Sequence, residues 1–204
     1  MIRAISDCAT ATPYLCRRGR VFGTPPLPYC GLLVLLLLVS VPGSFQAESG
    51  IGEYRVKAGF LFHFAQLADW PAGAGGGSEF VLCVLGDDPF HGELESTLGG
   101  KAIGSRPIRI LHVKQSQEAR VCQVLFISNS EDQHLPKIFK DLGNSAVMTV
   151  GEASDFIDRG GMIRFTFEQD KVRFEINLKA ADVAGLKFSS RLLLLATNVV
   201  GKQG

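Results

Sequence analysis

Several signatures of common enzyme classes are missing from this 204-residue sequence. It has no C-x-x-C, no H-x-H and no H-E-x-x-H, so no zinc site of familiar spacing is legible. It also lacks G-x-S-x-G, a phosphate-binding loop and a dinucleotide fingerprint. "LGGKAIGSR" (Leu98 to Arg106) has glycines and a lysine, but not the strand-loop-helix order that gives such a loop its meaning. No apolar run approaches the roughly 20 residues of a membrane-spanning helix. Charge of one sign is lacking too: 21 Lys and Arg face 20 Asp and Glu, for a net +1. Without a concentrated basic excess, nucleic-acid binding is not expected.

What is present begins with a leader. Arg17, Arg18 and Arg20 precede "GLLVLLLLVSV" (Gly31 to Val41), a basic region followed by a short apolar core. That order reads as a secretory signal peptide over residues 1–47, cut near Ala47, with an uncleaved anchor as the alternative. The remaining chain, residues 48–204, carries 17 Lys and Arg against 19 Asp and Glu, a formal charge of −2. Of the five cysteines only Cys83 and Cys122 lie beyond the leader. An even pair in an exported, oxidising compartment most economically means one disulfide.

Periodicity organises the rest. "EYRVKAGFLFHFAQLADWP" (Glu53 to Pro71) reads as an amphipathic helix with Val56, Phe60, Phe64 and Leu67 on one face, ended by Trp70-Pro71. A glycine-rich connector follows at 72–78, then the apolar strand Phe80 to Leu85. A short helix over 89–98, a strand over 107–113, a buried strand over 122–128, a helix around Pro136 and a strand "AVMTVG" come next. "MIRFTFEQDKVRFEINL" alternates apolar and polar residues on both sides of a short link, the pattern of an antiparallel hairpin. "SSRLLLLATNVV" closes the chain as a helix capped by Ser189 or Ser190 and buried on most sides. The expected fold is one α/β layered domain, a mixed β-sheet flanked by helices with an antiparallel hairpin near the C-terminus.

Three places could carry chemistry. Asp87 and Asp88 follow a strand, where open α/β sheets bind ligands, and are candidates for ligand contact or for an exported metal-dependent hydrolase. Asp88-Pro89 as a helix cap with proline at the first helical position is the reading preferred over catalysis. Cys83 could be a nucleophile with His63, His91, His112 or His134 as base, yet no triad pattern joins them. Pairing with Cys122 is the reading preferred over a free thiol. On the hairpin, Arg173, Glu175 and Asn177 share the face opposite Val172, Phe174 and Ile176, either as a solvated surface or as a polar docking surface for a partner. Neither a catalytic constellation, a metal site nor a cofactor site is expected.

"EYRVKAGFLFHFAQLADWP", "LCVLGDDPF", "VCQVLFIS", "GGMIRFTFEQDKVRFEINLKAA" and "SSRLLLLA", in this order, resemble the YfiR-like family of periplasmic regulators over about residues 53–200. The resemblance implies an α/β fold with a disulfide at the positions of Cys83 and Cys122. Some members have a second cysteine pair near "DFIDRGGMIR"; none stands here, so redox switching by that pair is not expected. It further implies a non-enzymatic role: binding the periplasmic region of an inner-membrane diguanylate cyclase and holding it inactive, which lowers cyclic di-GMP and biofilm formation. An outer-membrane lipoprotein that sequesters the regulator, and a homodimer, belong to the same expectation. The alternative reading is a periplasmic small-molecule binding module.

Overall fold

The computed structural model describes residues 47–74 and 77–201, and side chains from Gly52 onward. The expected leader lies outside the described residues except for Ala47, as does part of the glycine-rich connector. Among the described residues the chain runs α1 (Ala47–Gln66), β1 (Ala68–Asp69), β2 (Phe80–Leu85), α2 (Glu93–Leu98), β3 (Ala102–Ile103), β4 (Arg106–Val113) and β5 (Val124–Ile127). It continues through α3 (Leu135–Leu142), β6 (Met148–Gly151), β7 (Ile163–Glu168), β8 (Lys171–Asn177), α4 (Leu178–Val183), β9 (Lys187–Phe188), α5 (Ser190–Leu195) and β10 (Asn198–Val200). No helix among these residues is long and apolar enough to cross a membrane.

The main sheet has eight strands in the order β10-β8-β7-β6-β5-β2-β4-β3. Strands β4, β2, β5, β6 and β7 run parallel, and β8 turns back antiparallel to β7. The central parallel strands are apolar on both faces because both faces are covered. Leu82 and Val84 point into a cluster with Leu61 and Phe64 of α1 and Leu94 and Leu98 of α2. Cys83 and Leu85 point the other way, into a second cluster with Leu135, Ile138 and Leu142 of α3. This is the layered mixed-sheet α/β domain expected from the sequence.

Cys83 and Cys122 are joined by a disulfide, their Cα atoms 5.9 Å apart and 39 residues separated in sequence. Restricting a loop of that length in the unfolded chain contributes on the order of 4 kcal/mol. The hairpin is also as expected: β7 and β8 pair Phe165 with Phe174 and Arg164 with Glu175. Its tip holds Gln169 and Asp170 at φ 50 and 59, the double left-handed turn that matches strand twist.

The readings of the first and last helices are corrected. α1 ends at Gln66, before Trp70-Pro71, because Ala68–Asp69 leave the helix to pair with Phe188 and Lys187 in a separate two-stranded sheet. Its buried face carries Lys57, Ala58, Leu61, Phe64 and Ala65, while Val56 is 49% exposed. Small Ala58 and Ala65 let the helix approach the sheet, and Phe60 and Phe64 pack on Phe174 with ring centroids 5.5 and 4.8 Å away. The final helix is six residues long, not a dozen: Ser189 caps it by accepting from the Leu192 N–H, and Asn198–Val200 then pair parallel with β8. Only Leu192 of α5 is fully buried, and Leu194 and Leu195 are exposed.

Candidate functional site

β2 is flanked by β4 on one side and β5 on the other, so the crevice at the carboxyl ends of β2 and β5 is a topological switch point. The sequence puts Asp87 and Asp88 here. The structure fills the space with the chain itself. Gly86 has φ +89, and a Cβ on it would stand 2.4 Å from Ser130 Oγ. The Ser128 N–H donates to the Leu85 carbonyl at 3.0 Å, and the Asp87 N–H donates to Ser130 Oγ at 2.9 Å. The Asp88 carboxylate accepts from the Phe90 N–H at 2.9 Å, closing a local Asx turn. It is not a helix cap: His91 and Gly92 adopt positive φ of 48 and 88, which delays α2 until Glu93. Among the described residues no group of three or more His, Cys, Asp and Glu could hold a metal ion.

Two strands further along the same edge, the sheet opens. β6 stops at Gly151, paired with Arg164, while β7 runs on to Glu168. Beyond Arg164 the β6 side of β7 therefore has no neighbouring strand. The N-terminal half of α1 passes nearby and closes a cleft of about 350 Å³, lined by Glu53, Tyr54, Lys57, Asn129, Glu152 and Thr166 among others.

Lys57 is 4% exposed and its ammonium is bonded to both Glu53 and Glu152. It also lies 4.3 Å above the Tyr54 ring centre. The Tyr54 hydroxyl donates to Glu152 Oε2 at 3.1 Å. Burial first, then the Glu152 charge and hydrogen bond, hold the phenol well above its ordinary pKa. Arg164 donates through Nε to Glu175 Oε2 at 2.9 Å and through Nη1 to the Ser154 carbonyl. Thr166 Oγ1 is buried without a hydrogen-bond partner. Next to this cleft, sharing Glu53 and Phe167, is a trough of about 600 Å³ lined by Val56, Phe60, Val172 and Arg173.

The predicted docking residues separate. Arg173 is exposed on the hairpin, opposite Thr166. Glu175 is engaged by Arg164 across the strand pair. Asn177 does not share their surface: it is buried at 8% exposure and caps α4, its side-chain oxygen accepting from the Ala180 N–H at 3.2 Å. Its amide nitrogen donates to the Ile157 carbonyl at 3.2 Å. The alternation that would turn it outward ends because strand gives way to helix there, with β10 alongside. Of the histidines, His112 lies 3.4 Å from Glu95 and His134 lies 3.0 Å from Glu131, both exposed pairs. Cys83, held in the disulfide, is no free nucleophile.

Sequence reasoning missed Lys57, Glu152, Tyr54, Arg164 and Thr166. One signal was available for Lys57. It precedes Leu61, Phe64 and Ala68 at helical spacing, so it lies on the apolar stripe, with Glu53 one turn before it.

Comparison with known proteins bears on the whole domain. Residues 54–197 match the family described as YfiR/HmsC-like, DUF4154. That family comprises periplasmic regulators associated with cyclic di-GMP signalling. Among solved structures, a conserved domain protein from Vibrio cholerae O1 biovar El Tor is similar, with a TM-score of 0.53 at 10% identity over 70% of this chain. This chain spans 59% of the length of that protein, and the likeness is one of fold. The ABC domain of a Streptococcus pneumoniae protein in complex with L-Trp superposes with a TM-score of 0.45 at 12% identity, covering 59% of this chain and 55% of that one.

Proposed function

The chain belongs to the YfiR/HmsC-like family, and from that premise we propose that it represses an inner-membrane diguanylate cyclase by binding the cyclase's periplasmic region. The observation that carries this reading is the surface where the hairpin tip overhangs α1. Phe167 is 51% exposed and Val56 49% exposed, both lining the trough that ends at Arg173. An aromatic and an aliphatic side chain left in water beside an arginine have the composition of a contact centre with a charged rim.

Repression by contact uses no chemistry of its own; it needs only a surface that fits one state of the enzyme better than the other. An outer-membrane lipoprotein that sequesters the regulator, and a homodimer, fit the same mode of action. Deleting the gene raises cyclic di-GMP only in cells that contain the partner cyclase. Restoring the chain with Phe167→Asp or Arg173→Glu leaves cyclic di-GMP high although the protein folds and is exported normally. Unchanged cyclic di-GMP in the deletion strain, with the cyclase present and its own deletion lowering the signal, would count decisively against repression.

A further inference from the structure

We propose that the pocket between α3 and α4 binds a short aliphatic carboxylate, its chain against the pocket walls and its carboxylate at Lys179. The pocket lies at the amino ends of β6 and β7, the opposite end of those strands from the Lys57 cluster, and has a volume of about 320 Å³. Ligand pockets run from roughly 300 to 1,000 Å³, so this one takes only a small molecule.

The walls set the body of the ligand. Leu142, Val147, Met162 and Val183 make a lining more aliphatic than aromatic. Two features keep it open. α3 stops at Leu142 because Gly143 turns at φ 55, and Ala180 and Ala184 of α4 are too small to fill the space. Val183 is left 61% exposed at the mouth. Apolar walls in contact with water favour an alkyl chain that displaces it.

The polar groups set the head. Among the described lining residues Lys179 is the only charged one, and it makes no ion pair or side-chain hydrogen bond. Thr149, 3% exposed, accepts at Oγ1 from the Met162 N–H at 3.1 Å, and its own hydroxyl proton has no acceptor among the described residues. Asn177, also buried, gives one side-chain amide proton to the Ile157 carbonyl, and its other has no acceptor among them either. The Asn177 backbone N–H donates to the Met162 carbonyl at 2.7 Å, so Thr149 and Asn177 are joined through one residue, with Lys179 two positions on. Buried donors are nearly always bonded, and two spare donors with a free ammonium and no carboxylate in the lining match an anionic acceptor. The carbonyls that end α3 would oppose an anion if they were bare. That of Asp141 is taken by Arg120, and that of Leu142 by the Ser145 N–H at 3.1 Å.

Calorimetric titration of the purified protein with butanoate, pentanoate and hexanoate tests this, with hexanol and hexylamine as the neutral and cationic counterparts. Hexanoate is expected to bind saturably with a negative heat-capacity change, and each CH₂ removed from it should weaken binding about threefold. Hexanol and hexylamine should bind at least about tenfold more weakly. Lys179→Gln is expected to weaken hexanoate about tenfold, as is Val183→Glu, which sets a carboxylate at the mouth, while Lys179→Arg retains binding. Both positions are exposed, so the melting temperature without ligand should not change. The absence of saturable heat from hexanoate overturns the proposal. So does a flat chain-length series, equal binding of hexanol or hexylamine, or hexanoate binding that Lys179→Gln leaves unchanged. A dimer that hexanoate dissociates in analytical ultracentrifugation would assign the pocket to a side chain of a second copy and would equally overturn it. No variant here alters the trough of Phe167 and Arg173, so this site and the repressor reading fail or stand separately.

Discussion

At the carboxyl ends of β2 and β5 the space between strands is occupied by backbone and by Ser130, which receives the Asp87 N–H and leaves no room for a Cβ on Gly86. At the carboxyl ends of β6 and β7 one strand stops four residues before its neighbour, and the gap is lined by an ion cluster and an orphaned hydroxyl. Both places lie on the same edge of the same sheet. The first has the topology that usually marks a ligand site and the acids that suggest one. The second has neither signature in the sequence, yet it holds a buried ion cluster beside a strand that runs on without a neighbour. Strand order creates the opportunity for a crevice, while strand length and side-chain size decide whether it stays open.

The sharpest way to break the contrast is at Lys57. Lys57→Met keeps the stem's volume but leaves Glu53 and Glu152 facing each other without their shared cation. Removing one partner of a buried ion cluster costs about 3 kcal/mol, which urea unfolding should register as a lower midpoint with an unchanged slope. A loss under about 1 kcal/mol would mean that the cleft is as well hydrated as an exposed surface pair.

The closed crevice makes the opposite demand. Gly86→Ala adds one methyl at a left-handed position against Ser130, with an expected cost of about 2 kcal/mol from strain and overpacking. Combined with Ser130→Gly, part of that loss should return, since the contact with Ser130 Oγ goes while the one with Glu131 Cγ at 2.8 Å and the backbone strain stay. Asp87→Asn tests the acids themselves. It retains the backbone N–H that Ser130 receives, so its effect on stability is expected to fall within about 0.5 kcal/mol.

The contrast also explains which features were legible in the sequence. Strand β2 is an unbroken apolar run, the β7–β8 hairpin alternates strictly, and the Cys83–Cys122 bond follows from two cysteines outside the leader. Each signal is local or concerns a single pair. The pairing of Ala68 with Phe188 spans most of the domain and has no local signature, so the end of α1 was misplaced at Trp70-Pro71. The open cleft was hidden for a related reason. Lys57, Glu152 and Thr166 come from α1, the loop after β6, and β7, and of the three only Lys57, on the apolar stripe of its helix, stands out from an ordinary surface residue. Asn177 failed in reverse: its place in an alternating run suggested solvent, but the strand ends on it and its side chain turns to cap α4.

Tyr54 gives the smallest and most specific test of the open cleft. Its phenol is held protonated by burial and by the neighbouring Glu152 carboxylate, so its folded pKa lies above the ordinary value of 10.0. For a group whose pKa is raised on folding, the associated stability is fully present below the unfolded pKa and falls as pH rises beyond it. The protein should therefore lose stability above about pH 10 through this residue, and Tyr54→Phe should flatten that alkaline limb. At neutral pH the same substitution forgoes one hydrogen bond to Glu152, worth about 1 kcal/mol, while the ring stays packed edge-on to Phe90 at 5.3 Å. The other two tyrosines, Tyr14 and Tyr29, lie in the expected leader, so in a chain cut after Ala47 the phenolate absorbance reports Tyr54 alone. Titration of that absorbance at the ordinary tyrosine value in the folded protein would show that water reaches the phenol and Glu152 freely, and the ion cluster would then be no more sheltered than an exposed surface pair.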